Sequence, residues 1–467
     1  MSNKPVSDYF YYSPPSYAER LARVGENNPF MAGSNAGPEY AANALFNGCS
    51  DYSGLCRKEN SKVRVISGKY ADAICYASVV EDKALAQIQQ MLDTPFTAGT
   101  EIRIMPDVHA GAGCTIGTTI SMRDDDNIKI VPNVVGVDIG CGMFTVKLAD
   151  KEIDLPRLDE VVHSIPSGMD AWPEPVKHSF NFKALRCYEH LFALDHLNRS
   201  MGTLGGGNHF VEVDRGSDGA LYLVIHSGSR NLGKQVAEYY QRLAIDTMNG
   251  AEKQKKERKA LIEKLKAEGR QQEIEAALKG LKFEKTVPDD LCWLERKQAA
   301  DYLTDANKCT LFARFNREMI AKKIVDGAGL HIEHYFHTVH NYLDKDTIPT
   351  LTIRKGAISA RAGENVLIPI NMRDGSILGR GKGNRAWNYS APHGAGRIMS
   401  RNTAKSKLTM EEYEAAMKGI YTTSVCPETI DEAPMAYKSM ADILDVVKET
   451  VDILDILKPI YNFKAAQ

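Results

Sequence analysis

The apolar and polar positions of this chain show no sustained period over residues 1–60, which are rich in Tyr, Pro, Asn and Ser and read as an irregular N-terminal arm. Beyond the arm the pattern becomes regular. Alternation over Lys62–Ile66 predicts a strand, and the apolar spacing of Asp82–Leu92 (DKALAQIQQML) predicts a helix. Ile102–Met105, Lys129–Val137, Met143–Leu148, Phe210–Val213 and Leu221–Ile225 are short runs that predict strands. Over 251–285, Leu261, Leu265, Ile274 and Leu278 recur at helical spacing among charged residues, with Gly269 as a break. That segment predicts a charged helical hairpin projecting from the body. An amphipathic helix is expected over 294–326, strands at Thr350–Arg354 and Asn365–Ile370, and helices over 409–419 and 435–458. Strands and helices interleave without an internal repeat. The expected organisation is the arm at 1–60 and one body over 61–467, interrupted by the insertion at 251–285.

Composition narrows the class. A chain of 467 residues, 43% hydrophobic and 25% charged, has globular make-up and enough material for a large core. No apolar run reaches the roughly 18 residues of a membrane helix, and Met1–Arg20 lacks a signal-peptide core, so a cytoplasmic protein is expected. The 58 basic and 60 acidic side chains leave a net charge of −2, which removes a globally basic surface but not a local one. Nine scattered cysteines without a Cys-x-x-Cys pair argue against a disulfide framework and a zinc ribbon. Glycine is the informative count: 20 of 36 fall in the windows 101–145, 201–233 and 375–396.

Those windows hold most of the candidate chemistry. In Met105–Cys114 (MPDVHAGAGC), Asp107 and His109 alternate at a strand end and suit either acid–base work, the outer shell of a metal, or a hydrogen-bonded turn. In Val134–Gly142 (VVGVDIGCG), Asp138 and Cys141 can reach one metal centre from a glycine-flanked turn. Gly202–Val213 (GTLGGGNHFVEV) strips side chains from the approach to Asn208 and His209, exposing backbone N–H groups to an anion. His226 ends a strand before a Ser- and Gly-rich turn carrying Arg230. Gly228–Lys234 nearly spells a P-loop, but Gln235 replaces the hydroxyl that holds magnesium, so a P-loop NTPase is rejected. His331, His334, His337 and His340 recur every third residue, as in a helical stripe of exposed histidines with a metal ligand among them. His393 sits on rigid backbone between Pro392 and small residues. Around it, Arg380, Lys382, Arg385, Arg397, Arg401, Lys405 and Lys407 form a basic stretch nearly devoid of acid. Together these features suggest phosphate chemistry assisted by a borderline transition metal.

In this order, the six segments resemble the RtcB family of RNA-splicing ligases from about residue 62 to the C-terminus. The resemblance implies two Mn²⁺ ions bound by Asp138, Cys141, His209, His226 and His340, and guanylylation of His393. It implies a GTP pocket formed by Asn208, His209, Phe210, Val211 and Glu212, by His340 and Asn341, and by Pro369, Ile370, Asn371, Met372 and Ser376. His393, Gly394, Ala395, Gly396, Tyr437 and Lys464 complete that pocket. One departure stands out: many members carry Gly-Ser-Met-Gly where this chain reads Pro369-Ile-Asn-Met-Arg-Asp-Gly-Ser376. The resemblance also implies an α+β fold, mixed β-sheets packed with helices around a central metal and nucleotide cleft, with the charged helical hairpin as an insertion.

The implied activity joins RNA 3′-phosphate or 2′,3′-cyclic phosphate ends to 5′-hydroxyl ends, in tRNA splicing or RNA repair, with an archease-like activator as a further partner. The Lys-x-Asp-Gly motif of ATP-dependent ligases is absent; Lys323–Gly327 (KIVDG) has the wrong spacing. The competing expectations are a metal-dependent 2′,3′-cyclic phosphodiesterase and a non-catalytic RNA- or ribosome-binding factor.

Overall fold

The structure, a computed structural model, describes residues 63–125, 127–281, 285, 287–345 and 350–465. The N-terminal arm expected over 1–60 lies outside the described residues. In chain order the strands are β1 (Arg64–Ser67), β2 (Asp72–Cys75), β3 (Glu101–His109), β4 (Ile116–Arg123), β5 (Lys129–Ile130) and β6 (Gly142–Leu148). They continue as β7 (Phe210–Arg215), β8 (Leu221–Ser227), β9 (Leu294–Glu295), β10 (Ile332–Val339), β11 (Asn341–Lys345) and β12 (Thr350–Lys355). The last are β13 (Ala357–Ser359), β14 (Asn365–Asn371), β15 (Gly375–Gly381), β16 (Ser390–Pro392) and β17 (Val451–Lys464).

Two large sheets result, so the α+β expectation holds. The first has the order β1-β2-β3-β4-β12-β11, with β2 and β3 parallel. The second, β10-β6-β8-β7-β17-β15-β14, is antiparallel throughout. His340 alone separates β10 of the second sheet from β11 of the first, so the chain crosses between sheets at that residue.

Helices cover the first sheet. Helix α1 (Asp82–Leu92) forms where expected, burying Ala84, Ile88, Met91 and Leu92 on one stripe, with Asp82 in its first turn. Helices α2 (Arg230–Met248) and α3 (Arg296–Ala328) bring Val236, Tyr240, Tyr302 and Phe312 into the same core as Ile102, Ile104 and Ile120. Helix α3 ends at Gly329, whose φ of 67° closes it in the left-handed conformation. The charged insertion is helical over Ala251–Ala267 and Ile274–Gly280, with Gly269 in the break. No helix among the described residues is long and apolar enough to cross a membrane.

Three expectations are corrected. Lys129–Val137 is not one strand: it pairs only over Lys129–Ile130, then turns into a short helix at Pro132–Val135. Pro132 has no N–H to give a sheet ladder, and as the first helical residue it starts a turn instead. The helix expected over 435–458 stops at Val447, and Val451–Lys464 is a strand. Its apolar spacing is compatible with either period, and hydrogen-bonded neighbours on both sides, β15 and β7, settle the choice. Pro459 is tolerated there because the register shifts at a bulge between Pro459 and Tyr461. The third correction is the histidine stripe, which lies on β10 and its flanks rather than on a helix.

Candidate active site

Antiparallel register explains how distant motifs meet. In the second sheet β10, β6, β8 and β7 are neighbours, and Val339 pairs Gly142, Met143 pairs His226, and His226 pairs Phe210. His340 follows β10, Cys141 precedes β6, His226 lies near the end of β8, and His209 precedes β7. All four therefore emerge at one end of the sheet.

There Cys141 Sγ lies 3.4 Å from His209 Nε2 and 3.2 Å from His226 Nε2. Asp138 Oδ2 is 3.1 Å from His209 Nε2. The ring of His340 is centred 5.2 Å from that of His226 and 4.9 Å from that of His393. Backbone carbonyls set the tautomers. His209 Nδ1 lies 2.9 Å from the Leu204 carbonyl and His226 Nδ1 3.0 Å from that of Asn208. A carbonyl only accepts, so Nδ1 of His226 carries the proton and its Nε2 offers a lone pair to the cluster, while His209 Nε2 faces the Asp138 carboxylate. His331 and His334 are exposed, and His337 stacks on Phe144 and bonds Glu318, so His340 is the member of the histidine series that reaches the site.

The electrostatics fit a metal. Burial opposes ionisation of Asp138, but its bond to His209, the nearby Arg230 and the Ser229 N–H hold the carboxyl down at about 2. Burial keeps His226 and His340 well below the usual histidine range, leaving neutral rings. Burial and the Asp138 carboxylate push the Cys141 thiol up. A metal-free thiol is thus protonated, and a bound cation would displace that proton. His340 Nδ1 is buried without a hydrogen-bond partner among the described residues. A thiol, imidazoles, a carboxylate and an orphaned ring nitrogen fit a divalent transition-metal ion.

The turn carrying Asp138 and Cys141 is clamped from below. Asn341 Nδ2 donates to the Asp138 carbonyl at 3.3 Å, and its Oδ1 accepts from Gly356 N at 2.9 Å. On α3, Arg317 donates to the carbonyls of Gly140 and Ser227 at 2.7 and 2.9 Å. Its neighbour Asn316 accepts from Gly202 N and Thr203 N and donates to Thr203 O, Ser227 Oγ and Gly228 O. Glycine serves close approach here: a Cβ on Gly228 would lie 2.2 Å from Asp138 Oδ1.

His393 follows β16 and is anchored from the other sheet. Asp107, fully buried on β3, places Oδ2 2.6 Å from His393 Nδ1. The same oxygen accepts from the backbone N–H groups of His393 and Gly394 at 3.1 and 3.2 Å. Gly396, at φ 76°, lets the chain pass Asp107; a Cβ there would lie 2.3 Å from its carbonyl oxygen. With its proton held at Nδ1, the ring has its nucleophilic lone pair at Nε2.

A cavity of about 700 Å³ opens beside this pair. Of the residues expected at the nucleotide, Asn208, Phe210, Glu212, Pro369, Ile370, Asn371, Met372, His393, Gly394, Ala395, Gly396, Tyr437 and Lys464 line it. Val211 and Ser376 are fully buried in their strands and do not line it. His209, His340 and Asn341 do not line it and pack instead against Asp138, Cys141 and His226. Met372 to Asp374 form the tip between β14 and β15.

Several residues at this cavity carry no motif of their own. Asn462, paired in register with Glu212, donates to its Oε2 at 2.7 Å. Burial pushes Glu212 up to about 7, and burial together with the nearby Glu212 pushes Asp214 well above the usual carboxylate range. Lys464 Nζ lies 2.5 Å from Glu432, whose carboxylate is held at about 2 by Lys464 and Arg401 against the effect of burial. Arg397 and Tyr437 also meet Glu432, at 3.2 and 2.5 Å. The basic stretch is therefore corrected. Arg401 lies 2.6 Å from both Asp431 and Glu432, Lys405 pairs with Asp431, Lys382 with Asp452 and Arg385 with Glu101. Acids remote in sequence neutralise what looks unbalanced locally. The near-P-loop segment is the start of α2, and its Lys234 pairs with Glu238.

Known proteins resemble this chain over most of its length. The family model described as tRNA-splicing ligase RtcB matches residues 87–186 and 188–465. RNA-splicing ligase RtcB of Escherichia coli strain K12 is 29% identical over 422 residues, spanning 82% of this chain and 95% of its own length. The tRNA-splicing ligase RtcB of Aeropyrum pernix is 28% identical over 474 residues, spanning 82% of this chain and 91% of its own. RNA-splicing ligase RtcB homolog 2 of Entamoeba dispar is 26% identical over 441 residues, spanning 77% and 78%.

Proposed function

The chain belongs to the RtcB family, and on that premise we propose that it is a GTP- and Mn²⁺-dependent RNA ligase. It joins RNA 3′-phosphate or 2′,3′-cyclic phosphate ends to 5′-hydroxyl ends, in tRNA splicing or RNA repair in the cytoplasm, with an archease-like activator as a further partner. The observation that carries this reading is His393, its Nδ1 fixed by buried Asp107, facing a cavity lined by Phe210, Glu212, Tyr437 and Lys464.

His393 Nε2 attacks the α-phosphorus of GTP, forming a P–N bond as pyrophosphate leaves. Asp107 keeps the Nδ1 proton in place and offsets the positive charge that develops on the ring. An anionic oxygen of the RNA 3′-phosphate then takes the GMP and frees the imidazole; a cyclic phosphate is first opened by water. The 5′-hydroxyl attacks the activated phosphorus, and GMP departs as the phosphodiester forms. Glu212 and Lys464 offer an acceptor and a donor to the guanine edge. Two Mn²⁺ ions held by Asp138, Cys141, His209, His226 and His340 would screen the phosphate charge.

Incubation with α-labelled GTP and Mn²⁺ tests the reading. A protein-bound label that is acid-labile, alkali-stable and absent from His393→Ala supports it. An unlabelled wild-type protein overturns it. A cyclic phosphodiesterase or a non-catalytic RNA-binding factor would carry no GTP-derived label at His393.

A further inference from the structure

Two of the proposed steps begin from nucleophiles that need no base: the neutral Nε2 of His393 and a phosphate anion. Joining is different, because its nucleophile is a hydroxyl whose proton must go somewhere. Three histidines line the cavity: His109, His226 and His393. His226 is assigned to the metal and His393 to GMP, which leaves His109.

His109 ends β3, two residues after Asp107, and is partly exposed. Its Nδ1 lies 3.0 Å from the Asp107 backbone carbonyl. That oxygen only accepts, so the neutral ring carries its proton at Nδ1 and a lone pair at Nε2. No group among the described residues bonds Nε2, which is the ring nitrogen available to the cavity. The charged groups around the ring are Asp107 on its own strand, His393 after β16, Lys438, and Glu81 and Lys83 at the start of α1. Burial, aided by His393 and Lys438 and opposed by the Asp107 carbonyl and carboxylate, keeps the ring below the usual histidine pKa. It is a neutral base at pH 7.

We propose that His109 is the general base of the joining step, taking the proton of the RNA 5′-hydroxyl at Nε2. As the proton moves, the 5′-oxygen bonds to the activated phosphorus, and the bond to GMP breaks with its electron pair on the departing phosphate. The Asp107 carbonyl, already bonded at Nδ1–H, stabilises the imidazolium until it returns the proton to solvent. This rests on the ligase reading above, and the two fail in different experiments.

The test uses the full chain and RNA whose 3′ end already carries GMP, with Mn²⁺ and a 5′-hydroxyl acceptor. In His109→Gln and His109→Ala, labelling of His393 by GTP stays within about threefold of wild type. Joining of the GMP-capped RNA falls by about a hundredfold or more, the scale of a lost general base. From 3′-phosphate RNA, the capped intermediate accumulates. The wild-type joining rate rises with pH through the titration of His109 and then levels, His109→Gln lacks that limb, and imidazole partly restores His109→Ala. Joining at the wild-type rate in both variants overturns the proposal, as does equal loss of labelling and joining in both, which is what a purely structural His109 gives. Absence of labelling in the wild-type protein instead overturns the ligase reading.

Discussion

At the scale of the residue, the site turns on where single protons sit. The Asp107 carboxylate accepts from His393 Nδ1 at 2.6 Å while two backbone N–H groups fix its own orientation. In Asp107→Asn an amide NH₂ facing Nδ1 moves the ring proton to Nε2 and blocks the nucleophile, and an amide oxygen there withdraws the charge. Initial labelling of the enzyme by α-labelled GTP is therefore expected to slow on the order of 10²- to 10⁴-fold. A cooperative thermal transition should persist, and labelling within threefold of wild type would refute the role. Much of this chemistry is legible in the sequence, because Asp138, Cys141, His209, His226 and His393 each sit in a short glycine-punctuated motif. Asp107 is half legible: the alternation of Asp107 and His109 flags it, but only the packing of β3 against the loop after β16 supplies its partner. Glu432 and Asn462 are illegible, since neither has a motif and their partners lie on other elements.

Among the elements, α3 does the positioning. Asn316 and Arg317, both fully buried, tie the loops before β6 and β7 and after β8 to one rigid helix. Asn316→Ala leaves the N–H groups of Gly202 and Thr203 without their acceptor in a dry site, at a cost of about 1–3 kcal/mol for each unsatisfied group. A urea melt should show a loss of about 2–6 kcal/mol, and Mn²⁺ affinity, followed by electron paramagnetic resonance, should fall with it. Unchanged stability and affinity would mean that the loops hold themselves. The periodicity of 294–326 announces α3 as a helix, but nothing local says that two of its polar residues face inward. The errors elsewhere have a common cause. Lys129–Val137 and 435–458 are apolar runs compatible with more than one period, and Pro132 in one case and two flanking strands in the other decide between them.

For the whole molecule the question is where the RNA finds positive charge. The net charge is −2, and most of the basic stretch beside His393 is already paired with Asp431, Glu432, Asp452 and Glu101. The insertion at 251–285 is different: it holds 11 basic and seven acidic residues. Several of its acids are used locally, Glu268 and Glu273 by Arg270 and Glu275 by Lys279, so an excess of lysine remains on its surface. It is also separable from the body. Asn249 and Asp289, on either side of it, are bonded at 2.8 Å, so a short Gly-Ser link can close the gap without moving α2 or α3. Deleting 251–285 in this way should leave labelling of His393 and joining of short RNA unchanged, because no described residue of the insertion lines the cavity. Joining of long, structured RNA should weaken, and its salt dependence should flatten. Each lost phosphate contact lowers the slope of log K against log salt by about 0.7 to 0.9, so a change of one to three is within reach of the surplus charge. Equal joining and equal salt slopes for the two proteins would reduce the insertion to a solvated helix pair.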